Sequence, residues 1–209
     1  MKFVGLRGYS RYSDTKSLSL DEINNLEDVA VTLNRVRDGD EIVEVCRKIK
    51  HEHVILNELY AIASVSKSKK VTVSVGMNAT NNLDLEFYRE LGAHAVVIPP
   101  ELNYEVESFQ KKGLKIEVFG RAFVEMFYKG RCQLSAYASG KSVKKSGVCN
   151  MECAKKWDVV YSGKKICETD FKPELTVYDV EADYVKHETR QIKGEGVIEN
   201  GADSKHSQS

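Results

Sequence analysis

The first 122 residues alternate short β-like runs with amphipathic helical runs, and this rhythm narrows the fold more than any other feature of the chain. Lys2–Leu6, Val29–Asn34, Val54–Leu56, Val71–Gly76, Ala95–Ile98 and Lys115–Phe119 read as strands, rich in β-branched residues. Between them, Ser19–Leu26, Asp40–Lys50, Glu58–Ser66, Leu83–Leu91 and Asn103–Lys112 read as helices. Ser19 and Asp21 open the first of these, and Gly92 and Gly113 close the last two. Strands and helices in this order form right-handed βαβ units and a parallel sheet. An open doubly wound sheet and a (β/α) barrel both satisfy that pattern. No GxGxxG or P-loop sequence supports a nucleotide-binding open sheet. The expectation is an α/β chain: an incomplete (β/α) TIM-type barrel, its six strands too few for the usual eight.

Both architectures place ligands at the C-terminal ends of the strands. Asn34 and Arg35 end one strand, Asn57 and Glu58 another, Asn78 and Thr80 a third. These residues either surround a ligand mouth or cap turns and helices, as Asn, Thr and Glu do at such places. The candidate catalytic positions are therefore Asn34, Arg35, Glu58, Asn78 and Thr80.

From about Ala122 the rhythm breaks. Glycine, serine, lysine and cysteine dominate as far as Cys167. The expected organisation is a partial barrel over 1–122, a cysteine-rich segment over 123–180 packed on it, and a polar, disordered tail over 181–209. Leu175–Val180 reads as a return to strand. Four cysteines, Cys132, Cys149, Cys153 and Cys167, lie in this stretch, and only Cys46 lies elsewhere. Cys46 falls on the apolar stripe of its helix and reads as core. Cys149 and Cys153, four apart, share a face on a helical turn. Four thiolates suit a structural zinc or an iron–sulfur cluster; the bland reading is small buried filler. Zinc ribbons usually carry two C-x2-C knuckles, which are absent here. Lys141, Lys144, Lys145, Lys155, Lys156, Lys164 and Lys165 surround the thiols. They either steer an anion or form an ordinary solvated face. Trp157 and Tyr161 read as packing, or as a shield over a metal centre.

Lys and Arg balance Asp and Glu at 31 each, so no global basic field points to nucleic acid, although a local patch is compatible. The N-terminus lacks the apolar core of a signal peptide, and no apolar run reaches the ~20 residues of a membrane span. The expectation is a cytoplasmic protein, where thiols stay reduced and clustered cysteines hold metal. No HExxH and no Gly-x-Ser-x-Gly are present, which disfavours proteolysis.

Glu117-Val118-Phe119, followed by Gly130-Arg131-Cys132-Gln133-Leu134-Ser135, resembles the signature of the collagenase-like peptidase family U32. Gly147-Val148-Cys149-Asn150-Met151-Glu152-Cys153 is similar to its Gly-x-Cys-x-x-x-Cys. Cys167 to Leu175 is similar to its Asp-Leu-Cys element with the following Pro-Glu-Leu. Val31 to Arg35 and Gly76 to Asn81 are similar to family strand ends. The resemblance covers roughly residues 3 to 180. The family's first cysteine falls on Glu125 and its His-Gly-Ala on Arg121-Ala122-Phe123, and its first βα unit has no counterpart. Glu125 reads as a surface acid or a substitute ligand.

The resemblance implies a [4Fe–4S] cluster on Cys132, Cys149, Cys153 and Cys167, with zinc as the alternative. It implies an enzyme, or enzyme subunit, of the oxygen-independent hydroxylation type. Such proteins act on RNA bases or a quinone-like ring, with prephenate as hydroxyl source. Collagenase-like proteolysis is the second reading. The third is a non-catalytic partner of a longer U32 chain or a homo-oligomer, covering open strand edges. An RNA or small aromatic substrate and no membrane complete the expectations.

Overall fold

The computed structural model describes residues 1–11, 17–124, 132–140, 152–171, 174–188 and 196–200. Six strands follow one another as read from the sequence: β1 (Lys2–Gly5), β2 (Val29–Leu33), β3 (His53–Leu56), β4 (Lys70–Val73), β5 (Ala95–Val97) and β6 (Lys115–Val124). All five neighbouring pairs are parallel. Helices α1 (Leu20–Asn24), α2 (Gly39–Lys48), α3 (Leu59–Val65) and α4 (Asn82–Glu90) fill the first four crossovers, and a 3₁₀ helix, Pro100–Ser108, fills the fifth. Local chemistry sets their limits. Ser19 and Glu22 form a reciprocal capping box at α1, and Asp38 and Asn81 accept N–H bonds that start α2 and α4.

The sheet has two unlike faces, because side chains alternate along each strand. On the outer face Val4, Val31, Val54 and Val71 form one register row. That row packs on Ile23, Ile42, Cys46 and Ile62 from the helices. Each such buried aliphatic side chain contributes about 1.5–3 kcal/mol. Cys46 is core, as expected, and burial raises its thiol pKa to about 12, so it stays protonated and inert.

The inner face is mixed. Phe3, Ala30 and Ile55 form a small apolar cluster. Around it lie buried Thr32, His53, Thr72, Glu117 and Lys186. The Lys186 ammonium meets the fully buried Glu117 carboxylate at 2.9 Å and sits 4.3 Å from the centre of the Phe3 ring. His53 Nε2 and Thr72 Oγ1 are 2.6 Å apart.

The chain does more after Ala122 than the sequence suggests. A short helix, α5 (Gln133–Ser139), precedes an antiparallel hairpin of β7 (Trp157–Tyr161) and β8 (Lys164–Thr169). β9 (Glu174–Val177), the expected return to strand, runs antiparallel to the end of β6. The span read as a polar tail contributes β10 (Tyr184–His187) and β11 (Gly196–Asn200); 201–209 lies outside the described residues. β10 runs parallel to β6, and β11 is antiparallel to both β10 and β1. The six parallel strands curl into the larger part of a barrel, and these two connect β6 back to β1. The edges expected to stand open at β1 and β6 are therefore covered by the same chain. The misreading has a physical source. Tyr184-Val185-Lys186-His187 looks solvated, but its lysine is neutralised inside the barrel by Glu117. Asp183 beside it binds Lys111 at 2.9 Å, Lys115 at 3.2 Å and the Ile116 N–H at 3.0 Å.

Candidate functional site

A cleft of about 400 Å³ opens at the C-terminal ends of the strands. Its walls come from the loops after β1, β4, β5 and β10 and from the far end of β6: Arg11; Gly76, Asn78 and Thr80; Pro99 to Leu102; Phe119, Phe123 and Val124; and Glu188. That volume suits a small ring-sized ligand. Phe119, Phe123 and the two prolines supply flat apolar walls. Arg11 supplies a positive charge, and Glu101 and Glu188 supply carboxylates.

Each wall has a local cause. A Cβ on Gly76 would lie 2.4 Å from the Arg11 guanidinium and 2.5 Å from Asn57 Oδ1, so glycine is what lets Arg11 cross the mouth. Asn78 adopts the left-handed conformation at φ 59°, which asparagine tolerates. Glu188 is buried, and its carboxylate accepts the Phe123 N–H at 3.1 Å. Tyr178 packs behind Phe119, and burial, then the charge of Glu101, raise its phenol pKa.

Of the candidate catalytic residues, Asn78 and Thr80 line the cleft. Thr80 Oγ1 and N–H both donate to Asp84, at 3.0 and 2.8 Å, beside the start of α4. Asn34 and Arg35 hold the loop that carries Arg11. Asn34 Oδ1 accepts the Arg11 N–H at 2.9 Å, and the Arg35 N–H donates to the Tyr9 carbonyl at 2.8 Å. Glu58 caps α3 by accepting the Tyr60 and Ala61 N–H groups. Arg11, Glu101, Phe119, Phe123 and Glu188 escaped the sequence reading of the site. The rule that picked Asn78, a polar residue just beyond a strand, also picks Glu101. Glu188 follows a strand that its own charges disguise.

The cysteines form a second region. Cys132 caps α5, its sulfur accepting the Ser135 N–H at 3.3 Å. Cys153 sits in the 3₁₀ turn Glu152–Ala154, which packs against α5, and its carbonyl accepts the Phe171 N–H. Cys167 lies opposite Val159 in the β7–β8 hairpin. Trp157 ties the three together: its ring lies 6.4 Å from that of Tyr137 on α5, and its Nε1–H donates to the Glu152 carbonyl at 2.9 Å. Trp157 is therefore a packing residue, whereas Tyr161 is exposed. Cys132, Cys153 and Cys167 are free thiols. Among the described residues no group of three or more His, Cys, Asp or Glu side chains is gathered closely enough to hold a metal. Cys149 and Glu125 lie outside the described residues, as do Lys141, Lys144 and Lys145. Lys155, Lys156 and Lys165 are ion-paired with Glu152, Glu168 and Asp158, so they are not a free cationic field.

No helix among the described residues is long and apolar enough to cross a membrane. The chain is 31% identical over 99 residues to tRNA hydroxylation protein P of Escherichia coli (strain K12), a match covering 46% of this chain and 21% of that protein. It therefore spans about a fifth of the length of that curated relative. A solved U32 peptidase, Mk0906, superposes with a TM-score of 0.39 at 16% identity, over 46% of this chain and 47% of that one. The family model for peptidase family U32 matches residues 15–196, most of the chain. The cysteine and strand-end motifs fall inside that match, and the chain belongs to peptidase family U32.

Proposed function

We propose that this chain is a hydroxylation-type U32 protein that takes an RNA base into the barrel-mouth cleft and carries a [4Fe–4S] cluster on its cysteines. The cleft carries this reading: a ring-sized space with aromatic walls and ionised ends, at the strand ends where such barrels bind ligands. The relative named for tRNA hydroxylation supports it. Phe119 and Phe123 would stack on the ring, Arg11 would meet a carbonyl or anionic group, and Glu101 and Glu188 would accept from ring N–H groups.

Four thiols are the donor type a cluster takes, although Cys132, Cys153 and Cys167 are not gathered closely enough to hold a metal as they stand. Thiols from the start of α5, from the 3₁₀ turn and from β8 share one small unit joined by Trp157. Cys132, Cys149, Cys153 and Cys167 would be the ligands, and the cluster would supply electron transfer or substrate activation.

Deletion of the gene is expected to remove one hydroxylated nucleoside from total RNA, read by mass spectrometry of the digested RNA. A full set of hydroxylated nucleosides in the deletion strain would end this reading. Proteolysis is the second reading, and its motif serine, Ser135, is buried at the start of α5 with its backbone N–H bonded to the Cys132 sulfur.

A further inference from the structure

The loops after β1 and β2 gather four arginines, Arg7, Arg11, Arg35 and Arg37, on one side of the barrel mouth. A single carbonyl, that of Gly8, organises two of them. It accepts Arg37 Nε at 3.2 Å and Nη2 at 3.0 Å, and Arg35 Nη1 at 3.3 Å. Arg37 also lies over the Tyr9 ring, 5.9 Å from its centre. Its side chain is therefore held in one place before any ligand arrives. Among the described residues no carboxylate pairs with Arg37. Arg7 is half exposed, bonded to the Ser17 carbonyl and 3.7 Å from Glu22. Of the described acids on this side, Asp38 caps α2 and Glu41 bonds Tyr9. Arg11 extends from this group into the cleft.

We infer that this arginine rim binds the phosphodiester backbone of single-stranded RNA whose unpaired base occupies the cleft. The inference rests on the base-binding reading above and adds the surface that would hold the rest of the strand. Guanidinium groups fit phosphate oxygens in pairs, and ordered arginines lose little freedom on binding. The chain's charges balance overall, so attraction must come from local contacts. The arginines are spread over two loops, which suits successive phosphates along a strand better than one small phosphate.

The test uses the full chain and a fluorescent oligouridine, with anisotropy recorded between about 50 and 200 mM salt. The double variant Arg7→Gln/Arg37→Gln leaves the cleft residues in place. Its affinity should fall, and the slope of log K against log salt should shrink by about 1.4, near 0.7 for each phosphate no longer neutralised. Arg7→Gln/Arg37→Lys should recover about half of that loss, near 0.7, and unchanged thermal melting shows that the fold is intact. An unchanged slope, absence of oligonucleotide binding, or full displacement by inorganic phosphate at equal phosphate concentration overturns the inference. The two proposals fail separately. RNA binding with the expected slope, but no nucleoside missing on deletion, keeps the rim and removes the reaction. A missing nucleoside without the slope change does the reverse.

Discussion

The barrel and the cysteine unit are built on opposite principles. The barrel buries rows of aliphatic side chains on its outer face and even closes a lysine–glutamate pair inside. In the stretch between Phe123 and Tyr184 no described hydrophobic side chain is buried. Ser135 and Glu152 are the buried residues there, and Val160, Tyr161 and Ile166 of the hairpin stand in solvent. A two-stranded hairpin without a core is marginal in water. Small units of this kind are commonly held by metal, whose binding energy is their folding energy. The contrast favours a thiolate centre in the second region and disfavours one in the first, where Cys46 is sealed and protonated.

The largest expected effect breaks the second region alone. Cys153→Ser/Cys167→Ser should abolish metal content and open 132–171 to rapid cleavage in limited proteolysis. The barrel's far-ultraviolet signal and melting should persist. Equal loss in both regions would mean that they are one cooperative unit.

Lys186→Met should follow. It leaves Glu117 buried without its cation and should cost about 3–5 kcal/mol in denaturant unfolding. Adding Glu117→Gln should recover much of that, because removing both charges removes the orphan.

Core truncation tests the barrel directly. Leu56→Ala should cost about 2–5 kcal/mol, since Leu56 is fully buried.

Acid should act on the barrel through His53. Burial, then the charge of neighbouring His94, lowers its pKa to about 4. The unfolded chain takes up a proton near pH 6.5, whereas the folded chain resists until about pH 4. Stability is therefore full above 6.5 and falls as pH drops through that window, by roughly 3 kcal/mol. His53→Gln should flatten that part of the unfolding-against-pH curve.

The smallest effect returns to the hairpin. Ile166→Ala should change stability by less than about 0.5 kcal/mol, because that side chain is exposed. A loss comparable to that of Leu56→Ala would show that something covers the hairpin.

How far the sequence could be read follows the same division. The runs Val29–Leu33 and Lys70–Val73 announce themselves because both faces of their strands are covered. Gly92 follows the cap of α4 at φ 84°, as a glycine closure requires, whereas Gly113, at φ 93°, does not close a helix: the 3₁₀ helix ends earlier, at Ser108, and Gly113 lies in the turn before β6. β10 was missed because a lysine neutralised inside a barrel looks like a surface lysine. The β7–β8 hairpin had a usable signal: Ser162 and Gly163, at φ 48° and 76°, form the two-residue turn that joins antiparallel strands. Clustered lysines and cysteines drew the eye from it. Residues at strand ends were found by position, but position could not separate Asn78, which faces the cleft, from Asn34, which holds a loop. That distinction depends on partners distant in sequence.

Whether thiols organise the second region is tested most directly by metal analysis of protein purified without oxygen. About four irons and four sulfides per chain, with a brown colour that disappears in the Cys153→Ser/Cys167→Ser variant, are the expected result. Colourless protein, carrying one zinc or no metal while 132–171 still resists protease, would contradict it.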